Sequence, residues 1–215
     1  MPVDILNYNS ILSTLQQHQV TLVAVSKTKP KEDIEALYAL GQRDFGENYV
    51  QELMDKQAVL PSDIRWHFIG HLQTNKVKYI APFVYLIHGI DSLKLLVEVN
   101  KQGQKLNKVI QVLLQVHIAQ EETKFGLDEA ELKEIMTKAP ELKYVSIQGF
   151  MGMASFTEDV EKVRAEFKHL KGMATPFGLP ILSMGMSGDY KLAMEEGSTM
   201  VRIGSLLFGS RKRTL

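Results

Sequence analysis

Eight short runs of apolar and β-branched residues recur along the chain, and helical periods lie between them. The runs are "TLVAVS" (Thr21–Ser26), "RDFGE" (Arg43–Glu47), "WHFIG" (Trp66–Gly70), "FVYLIHG" (Phe83–Gly89), "VIQVLLQVHI" (Val109–Ile118), "YVSIQGF" (Tyr144–Phe150), "PILSMG" (Pro180–Gly185) and "TMVRIG" (Thr199–Gly204). Segments of this length and composition suit buried strands. After Lys31, apolar residues fall at Ile34, Leu37 and Tyr38, the i, i+3, i+4 spacing of a helix face. Asp91 is placed to cap a helix with Leu93, Leu96 and Val97 on one face and Gly103 near its end. Asp128 with Glu131, and Ser155 with Glu158, have the spacing of capping boxes ahead of further helices.

Strands alternating with helices imply a parallel sheet with right-handed crossovers. The 215 residues suffice for one sizeable domain, so residues 1–215 read as a single unit. Near this length a closed (β/α)8 TIM barrel is the natural solution, since such barrels take about 250 residues, with about 200 as the floor. The segment from Asp4 to Gln17 is then an extra N-terminal helix. An open doubly wound sheet is the alternative.

Composition narrows the classes of function. The 25 basic and 25 acidic residues balance, so no general attraction to nucleic acid or membrane follows. The basic tail "SRKRTL" reads as a solvated terminus. There is no cysteine, which excludes disulfides and thiolate metal sites and suits a reducing compartment. The start lacks the pattern of a signal peptide, and no run approaches the roughly 20 apolar residues of a membrane helix. A cytoplasmic location is expected.

The first strand ends in a cation. By the two-residue period, Val23, Val25 and Lys27 share a face. In a barrel the reactive groups stand at the C-terminal strand ends, so an inward face puts the Lys27 ammonium at the mouth. The plain alternative is a rim lysine reaching water. A partly buried lysine loses solvation of its charged form, which lowers its pKa and makes the amine a nucleophile toward carbonyls. Lys29 and Lys31 push the same way if they face it.

The stretch "SMGMSGDYKLAMEEGSTMVRIGSLLFG" (Ser183–Gly209) covers the outlets of the seventh and eighth strands. Barrels often hold a phosphate there, on backbone N–H groups. The turns "GMSG" and "IGS" occupy those outlets, and Ser187 is expected to cap the short helix that Gly197 ends. Arg202, inside the eighth strand, needs a partner: either an acid such as Asp44 or Glu47, or a ring nitrogen of a bound ligand. His71 follows the third strand and Asn48 the second, both at outlets that line a pocket. His67 and His71 have i, i+4 spacing, but a strand-to-loop transition separates them, which argues against a shared metal. His18, His88, His117 and His169 carry no partner pattern. No Ser/His/Asp set, acidic metal cluster, GxGxxG or Walker loop is present.

Taken in order, "AVSKTKP", "FGENYVQE", "WHFIGHLQTNK", "SMGMSGDYKLAMEEGSTMVRIGSLLFG" and Arg211 resemble the pyridoxal phosphate homeostasis protein family, from about Val20 to Arg211. The resemblance implies a barrel of the alanine racemase N-terminal type. It implies that Lys27 holds pyridoxal 5′-phosphate (PLP) covalently as an internal aldimine. It places the phosphate on Met186–Ser187 and Gly204–Ser205, sets Arg202 opposite the pyridine nitrogen, and brings Asn48 and His71 near the cofactor. The implied role is to buffer, carry or regulate PLP in vitamin B6 homeostasis without turnover, with apo PLP-dependent enzymes as recipients and a monomer or weak dimer as the working form. An arginine opposite the pyridine cannot give up its proton, so the ring stays a poor electron sink. A weak amino-acid racemase is the alternative reading, and a sugar-phosphate barrel enzyme or an interaction protein are more distant ones. The chain departs from the family pattern at Gly89, at His117 and in "GFMGMA", away from Lys27 and the phosphate turns.

Overall fold

The structure, a computed structural model, describes residues 3–119 and 126–209. Lys124, Arg211 and the basic tail lie outside the described residues. Among the described residues, eight parallel strands close into a barrel in sequence order: β1 (Thr21–Val25), β2 (Asp44–Glu47), β3 (Arg65–Phe68), β4 (Leu86–Ile90), β5 (Ile110–Gln115), β6 (Val145–Met151), β7 (Ile181–Ser183) and β8 (Met200–Ile203). The closing pair is β1 with β8, in the register Val23 opposite Arg202 and Ala24 opposite Ile203. The open sheet is thereby rejected.

Helices cover the outside: α1 (Ile5–Gln17), α2 (Lys31–Ala39), α3 (Val50–Gln57), α4 (Val77–Ile80), α5 (Leu93–Leu106), α6 (Glu129–Lys138), α7 (Val160–Ala174), α8 (Tyr190–Glu195) and α9 (Ser205–Phe208). The expected N-terminal helix is present as α1, capped by Asp4 and buried through Tyr8, Ile11 and Leu15. Its start is tied to the last helix. The Asp4 N–H donates to the Leu207 carbonyl at 2.9 Å, and Asn7 Nδ2 donates to the Leu206 carbonyl at 3.0 Å.

Local sequence explains most element ends. Asp128 and Glu131 form the reciprocal capping box expected of them. Three caps differ from expectation by a residue or more, two of them on the long helices α5 and α7. Ser92, not Asp91, caps α5, and it turns Leu95, Leu96 and Val99 to the core while Val97 faces out. Gly103 lies inside α5, against the Tyr144 and Lys108 carbonyls. Asp159 caps α7, because Ser155 is committed to Glu166, donating from its backbone N–H and its hydroxyl at 2.6 Å each.

Two cores result. The larger lies between strands and helices. The smaller fills the barrel with Val23, Leu86, Leu113, Met151 and Met200. Other inward positions are polar: Asp44, His67, His88, Ser183 and Arg202 are all buried. At Gly89, a β-carbon would stand 2.8 Å from the Gly70 carbonyl oxygen, so the missing side chain lets β3 and β4 approach.

Candidate functional site

A cavity of about 380 Å³ opens at the C-terminal end of the barrel. Lys27, Asn48, Met186, Ser187, Arg202, Gly204 and Ser205 all line it, so seven of the eight residues singled out in the sequence meet in one place. The eighth does not. His71 is half exposed on a different hollow, where its Nδ1 stands 3.0 Å from Asp91 Oδ2. The two-residue period that aims Arg65 and His67 inward continues to Ile69, which lines the cavity. Beyond Ile69 the strand has ended, and Asp91 holds the imidazole aside. Val25, Lys29, Ile69, Met153, Phe156 and Asp189, with Gly188 and Gly209, complete the wall. Ile69 was findable from strand parity, whereas Phe156 sits in a loop whose path sequence does not give.

Lys27 follows β1 by two residues and is half-buried. Its neighbours are held from beneath by one buried network. Ser26 Oγ donates to Glu47 Oε1 at 2.6 Å. Lys56 Nζ donates to the Ser26 carbonyl, to Glu47 and to Glu52, each at 2.7 Å. The Thr28 N–H donates to Glu52 Oε1 at 2.6 Å. Thr28 has φ +62°, a conformation costly for a β-branched residue. Lys27 is thus clamped between two anchored residues. Burial raises the Glu47 pKa above the ordinary carboxylate value, opposed by Lys56 and Ser26. Lys29 directs its charge elsewhere. Its Nζ donates to the Phe208 carbonyl at 2.7 Å, at the C-terminal end of α9.

The two glycine-containing turns form the opposite wall. Asp189, not Ser187, stands at the N-terminus of α8, and its Oδ1 accepts from the Met186 N–H at 2.5 Å. Ser187 bonds across the mouth instead. Its Oγ accepts from the Gly204 N–H at 3.3 Å and links the loops after β7 and β8. The N–H groups of Ser187, Gly188 and Ser205 donate to no group among the described residues. Such a set of backbone donors suits a phosphate.

Arg202 closes the floor. Nη1 donates to the Ser183 carbonyl at 2.8 Å and to Ser183 Oγ at 2.6 Å, and Nη2 donates to the Gly152 carbonyl at 3.1 Å. Three of the five guanidinium N–H groups are used, which leaves two for a ligand acceptor. Burial lowers its pKa to about 10, with Asp189 opposing, so it stays charged at neutral pH. The alternative of an ion pair with Asp44 or Glu47 is excluded, since Asp44 pairs with Arg65 and His67, and Glu47 with Lys56. Asn48 Oδ1 is buried without a partner, a further group that a ligand donor would satisfy. Among the described residues no cluster of His, Asp and Glu is fit to hold a metal, and no helix is long and apolar enough to cross a membrane.

A closed barrel with an amine on one wall and bare N–H groups on the other belongs to the class defined by the alanine racemase N-terminal domain, whose family model matches residues 6–212. The chain is 44% identical over 198 residues to the pyridoxal phosphate homeostasis protein of Aquifex aeolicus, covering 89% of this chain and 87% of the other. It is 39% identical over 205 residues to the Escherichia coli K12 protein of that name, covering 90% and 86%. The solved structure of PipY from Synechococcus elongatus PCC7942 with PLP bound superposes with a TM-score of 0.84 at 36% identity, over 92% of this chain and 98% of that one. The chain belongs to the pyridoxal phosphate homeostasis protein family. Alanine racemase from Bartonella henselae shares the fold, with a TM-score of 0.71 at 22% identity, over 95% of this chain and 59% of that one.

Proposed function

We propose that this protein binds PLP in the barrel-mouth cavity, attaches it reversibly at Lys27, and serves as a PLP carrier or regulator rather than a catalyst. The observation that carries this reading is the meeting of Lys27, the Ser187, Gly188 and Ser205 N–H donors, and Arg202 around one space of cofactor size. PLP supplies an aldehyde that condenses with a primary amine, a pyridine nitrogen that accepts a hydrogen bond, and a phosphate.

Each demand has a matching group. The Ser26–Glu47–Lys56–Glu52 network fixes the backbone on both sides of Lys27 and so aims its amine. The turns at 186–188 and 204–205 offer N–H groups to the phosphate. Arg202 would donate to the ring nitrogen and, being charged, would leave that nitrogen unprotonated. An unprotonated pyridine stabilises carbanions poorly, which supports binding without turnover. No tyrosine lines the cavity among the described residues, and the other titratable groups in its wall, Lys29 and Asp189, are bonded to the Phe208 carbonyl and the Met186 N–H, which weighs against the racemase reading. Lys27 would hold PLP reversibly: another primary amine that takes its place carries the cofactor away and leaves the Lys27 amine free.

Borohydride reduction of the PLP-loaded protein, followed by peptide mapping, tests the assignment. A pyridoxyl group on the peptide containing Lys27 is expected. A label on another lysine, or none, refutes it. Transfer to an apo PLP-dependent enzyme in the presence of a trap for unbound PLP tests the carrier role, and racemisation of a chiral amino acid by the loaded protein would overturn the non-catalytic reading.

A further inference from the structure

The polar residues inside the barrel form an unbroken chain. Asp44 opens β2 at the end of the barrel away from the cavity, where Arg65 Nε and Nη2 donate to its two oxygens at 2.7 and 2.5 Å. His67 Nε2 stands 2.9 Å from Asp44 Oδ1. His67 Nδ1 stands 2.9 Å from His88 Nε2. His88 Nδ1 stands 3.2 Å from Ser183 Oγ. Ser183 Oγ lies 2.6 Å from Arg202 Nη1. The chain crosses the barrel from its N-terminal end to the cavity floor, through residues of β2, β3, β4, β7 and β8.

The donors can be assigned from the two ends. A guanidinium only donates, so Ser183 Oγ accepts from Arg202 and has its own hydrogen to give. That hydrogen goes to His88 Nδ1, which must be bare. An ionised carboxylate only accepts, so His67 Nε2 carries a proton for Asp44. His67 Nδ1 is then bare if the ring is neutral, and it accepts from His88 Nε2–H. Every step fits one neutral tautomer of each ring, with no donor meeting a donor. All four links point the same way, from Arg202 to Asp44. The charges agree. Burial would raise the Asp44 pKa, but Arg65 and His67 pull it down to about 2. Burial lowers the His67 pKa against Asp44's opposition, and burial together with His67 and Arg202 lowers that of His88 further. A cation and an anion at opposite ends are therefore joined by aligned neutral dipoles, an arrangement in which neighbouring hydrogen bonds polarise one another.

We infer that Asp44, His67, His88 and Ser183 form a positioning relay that sets the orientation of Arg202 at the cavity floor, so that a carboxylate at the far end of the barrel governs how tightly the ligand's ring nitrogen is held. Asp44, His67 and His88 do not line the cavity, and their effect passes through Arg202. The inference rests on the reading that Arg202 meets the ring nitrogen of PLP.

Ring-nitrogen NMR on the ligand-free protein tests the relay separately from the ligand. His67 and His88 are expected to show protonated Nε2 and bare Nδ1 at pH 7, and a protonated Nδ1 on either ring overturns the relay. PLP titration, followed by absorbance and by protein fluorescence, tests its consequence. Asp44→Asn is expected to weaken PLP by about tenfold, the scale of one charge-assisted hydrogen bond, and to move the absorbance maximum of the bound chromophore. Arg65→Gln, which removes Asp44's other partner and leaves the relay intact, is expected to stay within about twofold of wild type. His88→Asn cuts the relay at its middle, since the shorter side chain reaches Ser183 but not His67, and should match Asp44→Asn; it decides the matter if Asp44→Asn does not fold. Wild-type affinity and absorbance in either folded variant refute the positioning role. Failure of the wild-type protein to bind PLP would instead refute the proposed function, with the NMR result still deciding the relay.

Discussion

Lys56→Met removes the cation from beneath Lys27 and keeps the stem. Lys56 makes three hydrogen bonds of 2.7 Å, to the Ser26 carbonyl, Glu47 and Glu52, and Glu47 is wholly buried. Breaking a buried pair by removing one partner costs about 3–5 kcal/mol, because the remaining charge is left without compensation. For a chain of this size that is a fall in Tm of about 6–20 °C. The cost should depend on pH in a defined direction. Burial already raises the Glu47 pKa above its usual 4.5, and loss of Lys56 removes the main opposing influence. A carboxyl whose pKa is higher folded than unfolded binds more protons in the folded state. Its contribution is therefore most favourable below about pH 4.5 and is lost as pH rises through the folded pKa. In the variant that window extends upward, and each pH unit within it is worth up to about 1.4 kcal/mol. Urea unfolding of wild type and variant at pH 5 and pH 8 measures the difference. A penalty of several kcal/mol at pH 8 that shrinks at pH 5 is expected, together with weaker retention of PLP because the Ser26 carbonyl loses its donor. A penalty under about 1 kcal/mol at both pH values, or one that grows on acidification, refutes the reasoning.

Lys27→Ala should abolish the borohydride-stable PLP adduct, read by intact mass, while leaving the circular dichroism unchanged, since the side chain is only half-buried. Ser187→Ala removes the acceptor for the Gly204 N–H and so loosens the two turns. An affinity loss of about three- to tenfold for PLP is expected by fluorescence titration, with little change in Tm. Gly149→Ala places a β-carbon 1.8 Å from the Ile181 carbonyl oxygen at φ +154°. It should destabilise the barrel by more than about 3 kcal/mol in urea, or prevent folding. Asp44, with its pKa lowered from 3.8 to about 2, contributes stability that is complete above about pH 4 and is lost as pH falls toward 2. Acid titration of Arg65→Gln should show a smaller loss that begins at the same pH and is complete at a higher one, since the folded pKa moves back toward 3.8.

The barrel was legible because its signals are local and repeated. Short apolar runs such as Leu22–Val25 and helix faces such as Ile34 with Leu37 each follow from the residues that form them. The cavity was largely legible too, because a closed ring brings the outlets of β1, β7 and β8 together whatever the loops do. What sequence did not give were choices between near-equal hydrogen-bond partners. Asp91 and Ser92 both suit a cap, and Asp91 is drawn to His71 instead. Ser187 suits a helix cap but bonds across to Gly204. His71 reads as a pocket residue only while β3 is extended past its last ordered position. The pairing of His67 with His88 joins residues 21 apart on neighbouring strands, and neither carries a local pattern that announces it.

Because the first strand pairs with the last, Lys27 and the turn at Gly204 and Ser205 meet in one cavity although most of the length of the chain separates them. A chain without its final strand lacks Arg202, Gly204 and Ser205, and with them one wall of the cavity. On the proposed reading, a ligand that needs both walls would stabilise the closed ring and not a chain without β8.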